Sequence, residues 1–300
     1  MDRLLKYCGI AAAQLALLSA CAMAPIDPKV GADRTIGGFV NPESAGYDAG
    51  EKVLYVGNFG SPKLDPALKD GMGYISKVAL DGTILQRRAL AGTPSEPMNK
   101  PKGIWIEGGR LWVTDIDAVW IFDLASKRSR RLPLPGVVFA NDPAVMGGAL
   151  YVSDNRSDKL VKIEPADFLD GTPKITEVFS GADVYPNGVY PAKQGLLMGG
   201  FLAPDKPRAL YVLKDGKPKA ISDPIGRIDG LYELAEDELL ATDWNIGGLF
   251  YYNVRTGTKK TLATGFKGPA DFCVVPTGDG WTVVVPDLVQ SHLRFIELKK

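Results

Sequence analysis

The stretch "YPNGVY", Tyr185–Tyr190, decides how the chain is read. Asn-Gly between two apolar runs is the strongest short-range signal for a β-hairpin turn. Here the pair follows the loop-like "FSGADV" and precedes "VYPAKQGLLMGG", whose own turn lies further on, at "AKQG". Asn187 and Gly188 therefore stand at the mouth of a strand, and the question is whether that position recurs.

Helical periodicity is hard to find after residue 30, and short β-rich runs recur in its place: "KVLYVGN", "RLWVTDI", "ALYVSDN", "GLLMGGF", "ELLATDW" and "WTVVVPD". Their closing positions are Asn58, Asp115, Asp154, Gly200, Asp243 and Asp287, polar in all but Gly200. A second run with partial apolar–polar alternation follows each: "GYISKVAL", "AVWIFDL", "KLVKIEP", "RALYVLK", "GLFYYNV" and "HLRFIEL". A third, more polar run usually comes next, and a short segment precedes each first run. Six units of four strands, most close to 40 residues long, have the scale of propeller blades. The expected fold is all-β: a six-bladed β-propeller of four-stranded blades. The last unit lacks a fourth strand, which "DRTIGGFV", Asp33–Val40, is expected to supply, closing the ring and protecting its edges.

Aligning the opening segments, "PESAGYD", "PKGIWIE", "ANDPAVM", "PNGVYPA", "IDGLYEL" and "PADFCVV", gives one column at the second residue: Glu43, Lys102, Asn141, Asn187, Asp229 and Ala270. The first interval is long because the first unit carries the insertion "GSPKLDPALKDGMG". In a propeller the innermost strands ring the channel, so this column converges on the axis. Asn187 then faces the channel, and Gly188 lets the backbone approach closely. Two carboxylates and two carboxamides are hard oxygen ligands of the kind Ca²⁺ takes, and Mg²⁺ or Mn²⁺ less well. Glu43 and Asp229 together balance one divalent charge. Zn²⁺ is a further possibility for such a site, but a thiolate or imidazole zinc centre is unsupported, since the only histidine, His292, lies outside the column.

Glu43 in "PES", Asn141 in "FANDPAV", Asn187 in "YPNGVY" and Asp229 in "RIDGLYE" resemble, in order and at blade spacing, the metal ligands of the gluconolactonase/regucalcin (senescence-marker-protein-like) family. Diisopropyl fluorophosphatase and paraoxonase are more distant relatives of that family. The resemblance covers residues 34 to 298 in outline. It implies a calcium-dependent hydrolase of lactones or related esters, with the metal on Glu43, Asn141, Asn187 and Asp229. Asp229 or Glu43 is then a candidate general base, and Lys102 a group for a substrate carboxylate or an oxyanion. The sequence departs from the family at Glu43-Ser44-Ala45, where Glu-Gly-Pro is usual, and at Lys102, a cation within the column. An alternative has Lys102 replacing the metal and pairing with Glu43 or Asp229. The rival function is a non-catalytic propeller of the cell envelope that binds a ligand or protein; a strictosidine-synthase-like propeller, without metal, fits the four oxygen ligands poorly.

Asp142 and Asp271 follow the column by one residue; they are candidates for orienting its ligands, but are more readily expected to hold loops through backbone amides. Asp115, Asp154, Asp243 and Asp287 recur too regularly for one catalytic site and are expected to serve turns or blade contacts. Trp112 and Trp244 are expected in blade packing. Trp105, Tyr185 and Tyr190 flank the column and are candidates for a pocket or for the core. No G-x-S-x-G elbow and no phosphate-binding glycine loop occurs.

The N-terminus reads as an export signal over residues 1–20: Arg3 and Lys6, then the apolar "CGIAAAQLALL", too short to span a membrane. "LSAC" resembles a bacterial lipobox, which implies lipidation of Cys21, a tether over residues 21–33 and the propeller over 34–300. Ala22 in that resemblance points to the periplasmic face of the outer membrane, where the protein would be held by its lipid anchor. With Cys21 lipidated, Cys273 has no partner for a disulfide and is expected to be a small buried residue. Basic and acidic residues number 35 each, without a long basic run, which argues against nucleic acid as a partner; the expected partner is a small lactone or ester.

Overall fold

The computed structural model describes residues 25–202 and 206–300; the expected signal segment and Cys21 lie outside them. The chain forms six four-stranded antiparallel sheets arranged as a β-propeller. Strand β1 (Lys29–Ile36) is followed by the first blade, β2 (Pro42–Asp48), β3 (Val53–Asn58), β4 (Tyr74–Ala79) and β5 (Ile84–Leu90). The second blade is β6 (Pro101–Glu107), β7 (Arg110–Asp115), β8 (Ala118–Asp123) and β9 (Ser129–Pro133). The third is β10 (Ala140–Met146), β11 (Ala149–Asp154), β12 (Lys159–Glu164) and β13 (Lys174–Ser180). The fourth is β14 (Pro186–Ala192), β15 (Gly195–Gly200), β16 (Leu210–Lys214) and β17 (Lys217–Ala220). The fifth is β18 (Ile228–Ala235), β19 (Glu238–Asp243), β20 (Gly248–Asn253) and β21 (Thr258–Thr264). The last is β22 (Cys273–Pro276), β23 (Gly280–Asp287) and β24 (His292–Lys299), completed by β1 on its outer edge.

Burial explains the sequence pattern. The second strands are buried on both faces, as in "VLYVGN" of β3, because each is covered by both neighbouring blades. The outer strands are largely exposed, as in β5. The apolar clusters lie between blades: Trp112, Val119 and Ile121 of the second blade meet Leu150, Val152 and Val161 of the third, and Tyr251 and Leu262 of the fifth meet Val283 and Val285 of the last. Cys273 is buried, as expected.

The ring closes through its N-terminal strand, but earlier than the sequence predicts. β1 begins at Lys29, not Asp33, and pairs with β24 from Lys29↔Lys299 to Ile36↔Leu293. The expected tether is thus shortened by the residues 29–33, because β24 offers free backbone groups along its whole length. Arg294 ion-pairs with Asp33, and the Arg34 guanidinium lies 4.2 Å from the Phe295 ring centroid. Upstream, the Ile26 amide donates to Glu238 at 2.8 Å. Glu238 opens β19, which runs toward Asp243 at the end where the innermost strands begin. The N-terminal segment therefore meets the propeller at the opposite end of the channel.

The recurrent polar residue closing each second strand has a common role, beyond the turn amides that Asp154, Asp243 and Asp287 also accept as expected. It accepts amides from the segment leading into the innermost strand of its own blade. Asp115 accepts from Asn99 and Lys100 (3.0 and 2.9 Å), Asp154 from Val138 (2.7 Å), Asp243 from Arg227 (2.9 Å), Asp287 from Lys267 and Gly268 (2.8 and 3.2 Å), and Asn58 from Val40 (3.2 Å). The fourth blade has Gly200 there, because an added Cβ would stand 2.5 Å from the Arg208 Cβ and 2.7 Å from the Val184 carbonyl oxygen. Its amides, at Asp183, Val184 and Tyr185, are taken by Asp158 of the preceding blade (2.6, 3.0 and 2.5 Å).

Replacing Asp115 by Ala strands two buried amides and is expected to cost about 3 kcal/mol in urea denaturation. Asp117→Ala, which breaks partly exposed ion pairs to Lys69 and Arg131, should cost less than about 1 kcal/mol. Equal losses in the two variants would contradict the buttressing role.

Candidate active site and metal centre

Each column residue is turned into the channel by a break in strand register. The innermost strands shift register between Pro42 and Ser44, Pro101 and Ile104, Ala140 and Pro143, Pro186 and Val189, and Ile228 and Leu231. In the last blade regular pairing starts only at Cys273, after an isolated bridge from Pro269 to Asp287. Such bulges re-aim a side chain and bend the strand. This is the answer to the Asn187-Gly188 pair: it is the bulge of β14, not a hairpin turn.

Bonds between blades fix the backbone at the same level. The Asn141 carbonyl accepts from Thr114, that of Asn187 from Ser153 at 2.6 Å, and that of Ala270 from Thr242 at 3.1 Å. Lys102 is held from the first blade by Ser44, at 2.5 Å. The position that carries the hydroxyl elsewhere is Gly57 in this blade, where an added Cβ would lie 2.8 Å from the Ser44 hydroxyl. Ser44 thus replaces the missing group, which accounts for the departure at Glu43-Ser44-Ala45. The next residues crowd the axis as well. An added Cβ at Gly188 would stand 1.8 Å from the Asp229 carbonyl oxygen, and one at Gly103 would stand 2.1 Å from Asp142 Oδ1.

Glu43, Lys102, Asn141, Asn187 and Asp229 all line one cavity of about 440 Å³ at the mouth of the channel, in the size range of small-molecule sites. All five are at least nine-tenths buried. Ala270 leaves the column without a sixth polar group and packs with Phe59 and Leu288. Among the described residues, Glu43 Oε2, Asn187 Oδ1 and Asp229 Oδ1 have no hydrogen-bond partner. Buried oxygens left so are costly unless a donor or cation satisfies them. Asp229 Oδ2 accepts from Trp244 Nε1 at 2.7 Å. Burial pushes the Asp229 carboxyl up to about 7, against the Trp244 bond and the Arg227 charge. Burial and then the Asp229 charge push Glu43 well above the usual carboxylate range, with Lys102 acting the other way. Burial lowers the Lys102 ammonium to about 8, opposed by Glu43 and Asp115.

Lys102 makes no direct ion pair with either column carboxylate, Glu43 or Asp229, among the described residues. Its Nζ donates to the Lys100 carbonyl at 3.4 Å and lies 4.2 Å from the Phe139 ring centroid. The adjacent Lys100 instead takes Asp70 of the first-blade insertion at 2.6 Å. Among the described residues no group of three or more His, Cys, Asp and Glu is arranged to hold a metal ion. An ion at this level therefore depends on the two carboxamides. The four-oxygen set with its three unpartnered atoms fits a hard divalent cation such as Ca²⁺.

Other expected residues separate. Asp142 Oδ2 accepts the Val189 amide at 2.7 Å and Asp271 Oδ1 the Phe272 amide at 2.9 Å, so both hold backbone. Burial pushes both carboxyls well up, with the charge of Asp271 next for Asp142 and that of Asp229 next for Asp271. Tyr185 lines the cavity, whereas Trp105 meets Tyr190 edge-on and Tyr190 in turn meets Tyr232 further along the channel, at centroid separations of 5.9 and 5.0 Å. Trp112 packs between blades and donates to the Ala166 carbonyl. Trp244, expected in blade packing, instead lines the cavity and holds Asp229. Missed in the sequence were Phe59, Asn155, Arg156, Phe201 and Leu288, and Phe139 and Arg227. Most have a positional signal: Phe59, Asn155, Phe201, Trp244 and Leu288 directly follow the buttress positions, and Phe139, Tyr185 and Arg227 precede the column by two.

No protein-family model and no curated protein matches the chain. Solved structures do. A streptogramin B lyase superposes with a TM-score of 0.59 at 13% identity, over 89% of this chain and 98% of that one. A catalytically inactive histidine-to-alanine variant of virginiamycin B lyase from Staphylococcus aureus, with quinupristin, gives a TM-score of 0.56 at 12% identity, over 88% and 98%. The chain is a six-bladed propeller. At this identity the likeness extends to the fold alone.

Gly188→Ala is expected to force the fourth and fifth blades apart and to cost about 3 kcal/mol or more in chemical denaturation, with loss of the column's geometry. Gly147→Ala has nothing within 4 Å of its added Cβ, but a positive φ, and should cost only about 1 kcal/mol. A Gly188→Ala protein as stable as the wild type would contradict the close approach.

Proposed function

We propose that the chain is a hydrolase of lactones or related esters, with the channel-mouth cavity as its active site. The observation that carries the reading is the set of three buried, unpartnered oxygens, on Glu43, Asn187 and Asp229, within one cavity that also holds Asn141. On this reading Glu43, Asn141, Asn187 and Asp229 hold a divalent cation, Ca²⁺ first among the candidates. When bound, that ion supplies Lewis-acid polarisation of an acyl oxygen.

The chain's own groups do the rest. Trp244 fixes the Asp229 carboxylate through Oδ2, which leaves Oδ1 for the cavity. Asp229 is the group placed to receive a proton from an attacking water. Lys102, buried against Phe139, offers positive charge for the oxygen that becomes anionic as the acyl carbon is attacked. The aromatic walls exclude bulk water and strengthen both effects.

The likeness to lyases is a likeness of fold. The inactive lyase variant has lost a histidine, whereas the single histidine here, His292, opens β24 and does not line the cavity. On the proposed reading the base is Asp229. Lys102 in the column favours the rival reading of a non-catalytic binding propeller, and the same experiment decides between them.

Asp229→Asn keeps the shape of the side chain but removes its charge. In a screen of lactones and aryl esters it is expected to lower kcat/KM by about 100-fold or more, with melting temperature and circular dichroism retained. Chelation of the wild type should abolish the same activity, and added Ca²⁺ should restore it. Unchanged turnover in Asp229→Asn would refute the assignment, and no turnover of any ester by the metal-replete wild type would favour the binding propeller.

A further inference from the structure

The cavity walls say what kind of molecule it takes. Lys102 and Arg156 sit against one ring: Lys102 Nζ lies 4.2 Å, and Arg156 Cζ 3.7 Å, from the Phe139 centroid. They are close enough for the Arg156 charge to bear on the Lys102 ammonium. Neither forms an ion pair among the described residues, although ion pairs are plentiful elsewhere on this chain. A third cation, Arg227, lies 4.4 Å from the Phe201 centroid and 5.9 Å from that of Trp244, and lines the same cavity. Lys102 and Arg156 therefore share a cavity whose two carboxylates, Glu43 and Asp229, form no ion pair with either of them among the described residues. Like charges held together in a partly desolvated site repel unless an anion joins them. The rest of the lining is apolar and aromatic: Phe59, Phe139, Phe201, Leu202, Trp244 and Leu288. Such walls leave the hydroxyls of a polyhydroxylated sugar lactone unpaired, which a site of this kind disfavours.

We infer that the substrate is an apolar, aromatic lactone or ester that carries an acid group, and that Arg156, on the cavity rim, receives that group. Arg156 is suited to the task because its planar guanidinium binds a carboxylate through two parallel hydrogen bonds while stacked on Phe139. This rests on the proposed hydrolase reading for the word substrate, but not for the preference itself, which concerns binding.

Two measurements keep the two claims apart. The first is hydrolysis of 4-acetoxybenzoate against phenyl acetate, the same ester with and without a carboxylate. The wild type is expected to favour 4-acetoxybenzoate about tenfold or more in kcat/KM, mainly through KM, and Arg156→Gln should bring the ratio close to one. The second is calorimetric binding of benzoate against benzamide to the full chain, which requires no turnover. Benzoate should bind and benzamide should not, with benzoate binding weakened about tenfold or more in Arg156→Gln. Absence of ester turnover with this binding pattern intact would remove the hydrolase reading and leave the anion preference standing. Equal treatment of the paired ligands would overturn the inference, as would benzoate binding that survives in Arg156→Gln. Faster turnover of glucono-lactone than of dihydrocoumarin would overturn its apolar part.

Discussion

The site depends on a bulge held from behind. Each innermost strand breaks register at the column, and a buried acceptor nearby takes the amides of the approaching segment. Without the bulge, the alternation of a strand would aim the column side chains differently. Without the acceptor, amides in a dry interior would lack partners, and the bulge would have no fixed position. Lys100 and Asn99 on Asp115 set Lys102, Val138 on Asp154 sets Asn141, and Arg227 on Asp243 sets Asp229. The repetition converts five or six independent strands into a single ring of polar groups on one axis. The hydroxyl-to-carbonyl bonds from Ser44, Thr114, Ser153 and Thr242 then tie each blade to the next at that level.

This arrangement explains what was legible in the sequence. Blade number, strand order and the column follow from signals that repeat at blade spacing, since a repeated fold must repeat its constraints. That Asp115 and its counterparts serve a structural task repeated in every blade was legible for the same reason, but not that the task is to hold the lead-in segment. The exceptions were harder. Asp158 serves the fourth blade from the third, so its role cannot be read by alignment within a blade. Ser44 supplies for Gly57 what Thr114 and Ser153 supply elsewhere, a compensation visible only in space. The start of β1 at Lys29 depends on how far β24 extends. Trp244 was misplaced because an aromatic beside a buried strand end reads as packing; only its bond to Asp229 shows otherwise. The cavity walls were missed because no single blade builds them.

Charge is distributed unevenly around the cavity. At the axis, carboxylates and carboxamides converge with oxygen atoms lacking partners. On the walls and rim, Lys102, Arg156 and Arg227 are stacked on aromatic rings. An arrangement of this kind is poorly suited to an empty channel, because the carboxyls must hold protons or the ring must hold a cation. It suits an acidic ester well, with the acyl end near the axis and the acid group at the rim. The segment at Ile26 meets the propeller at the opposite end of the channel.

The central claim is that the column holds a divalent cation, and it is tested most directly by a calorimetric titration of the chelated, dialysed protein with Ca²⁺, alongside Asn187→Ala. Asn187 is the informative partner because its unpaired Oδ1 has no other evident use and its loss leaves the charge of the site unchanged. The account predicts one Ca²⁺ per chain, a rise in melting temperature on binding, and affinity reduced by about tenfold or more in the variant. No heat of binding and no thermal shift in the wild type would contradict it, as would equal affinity in Asn187→Ala.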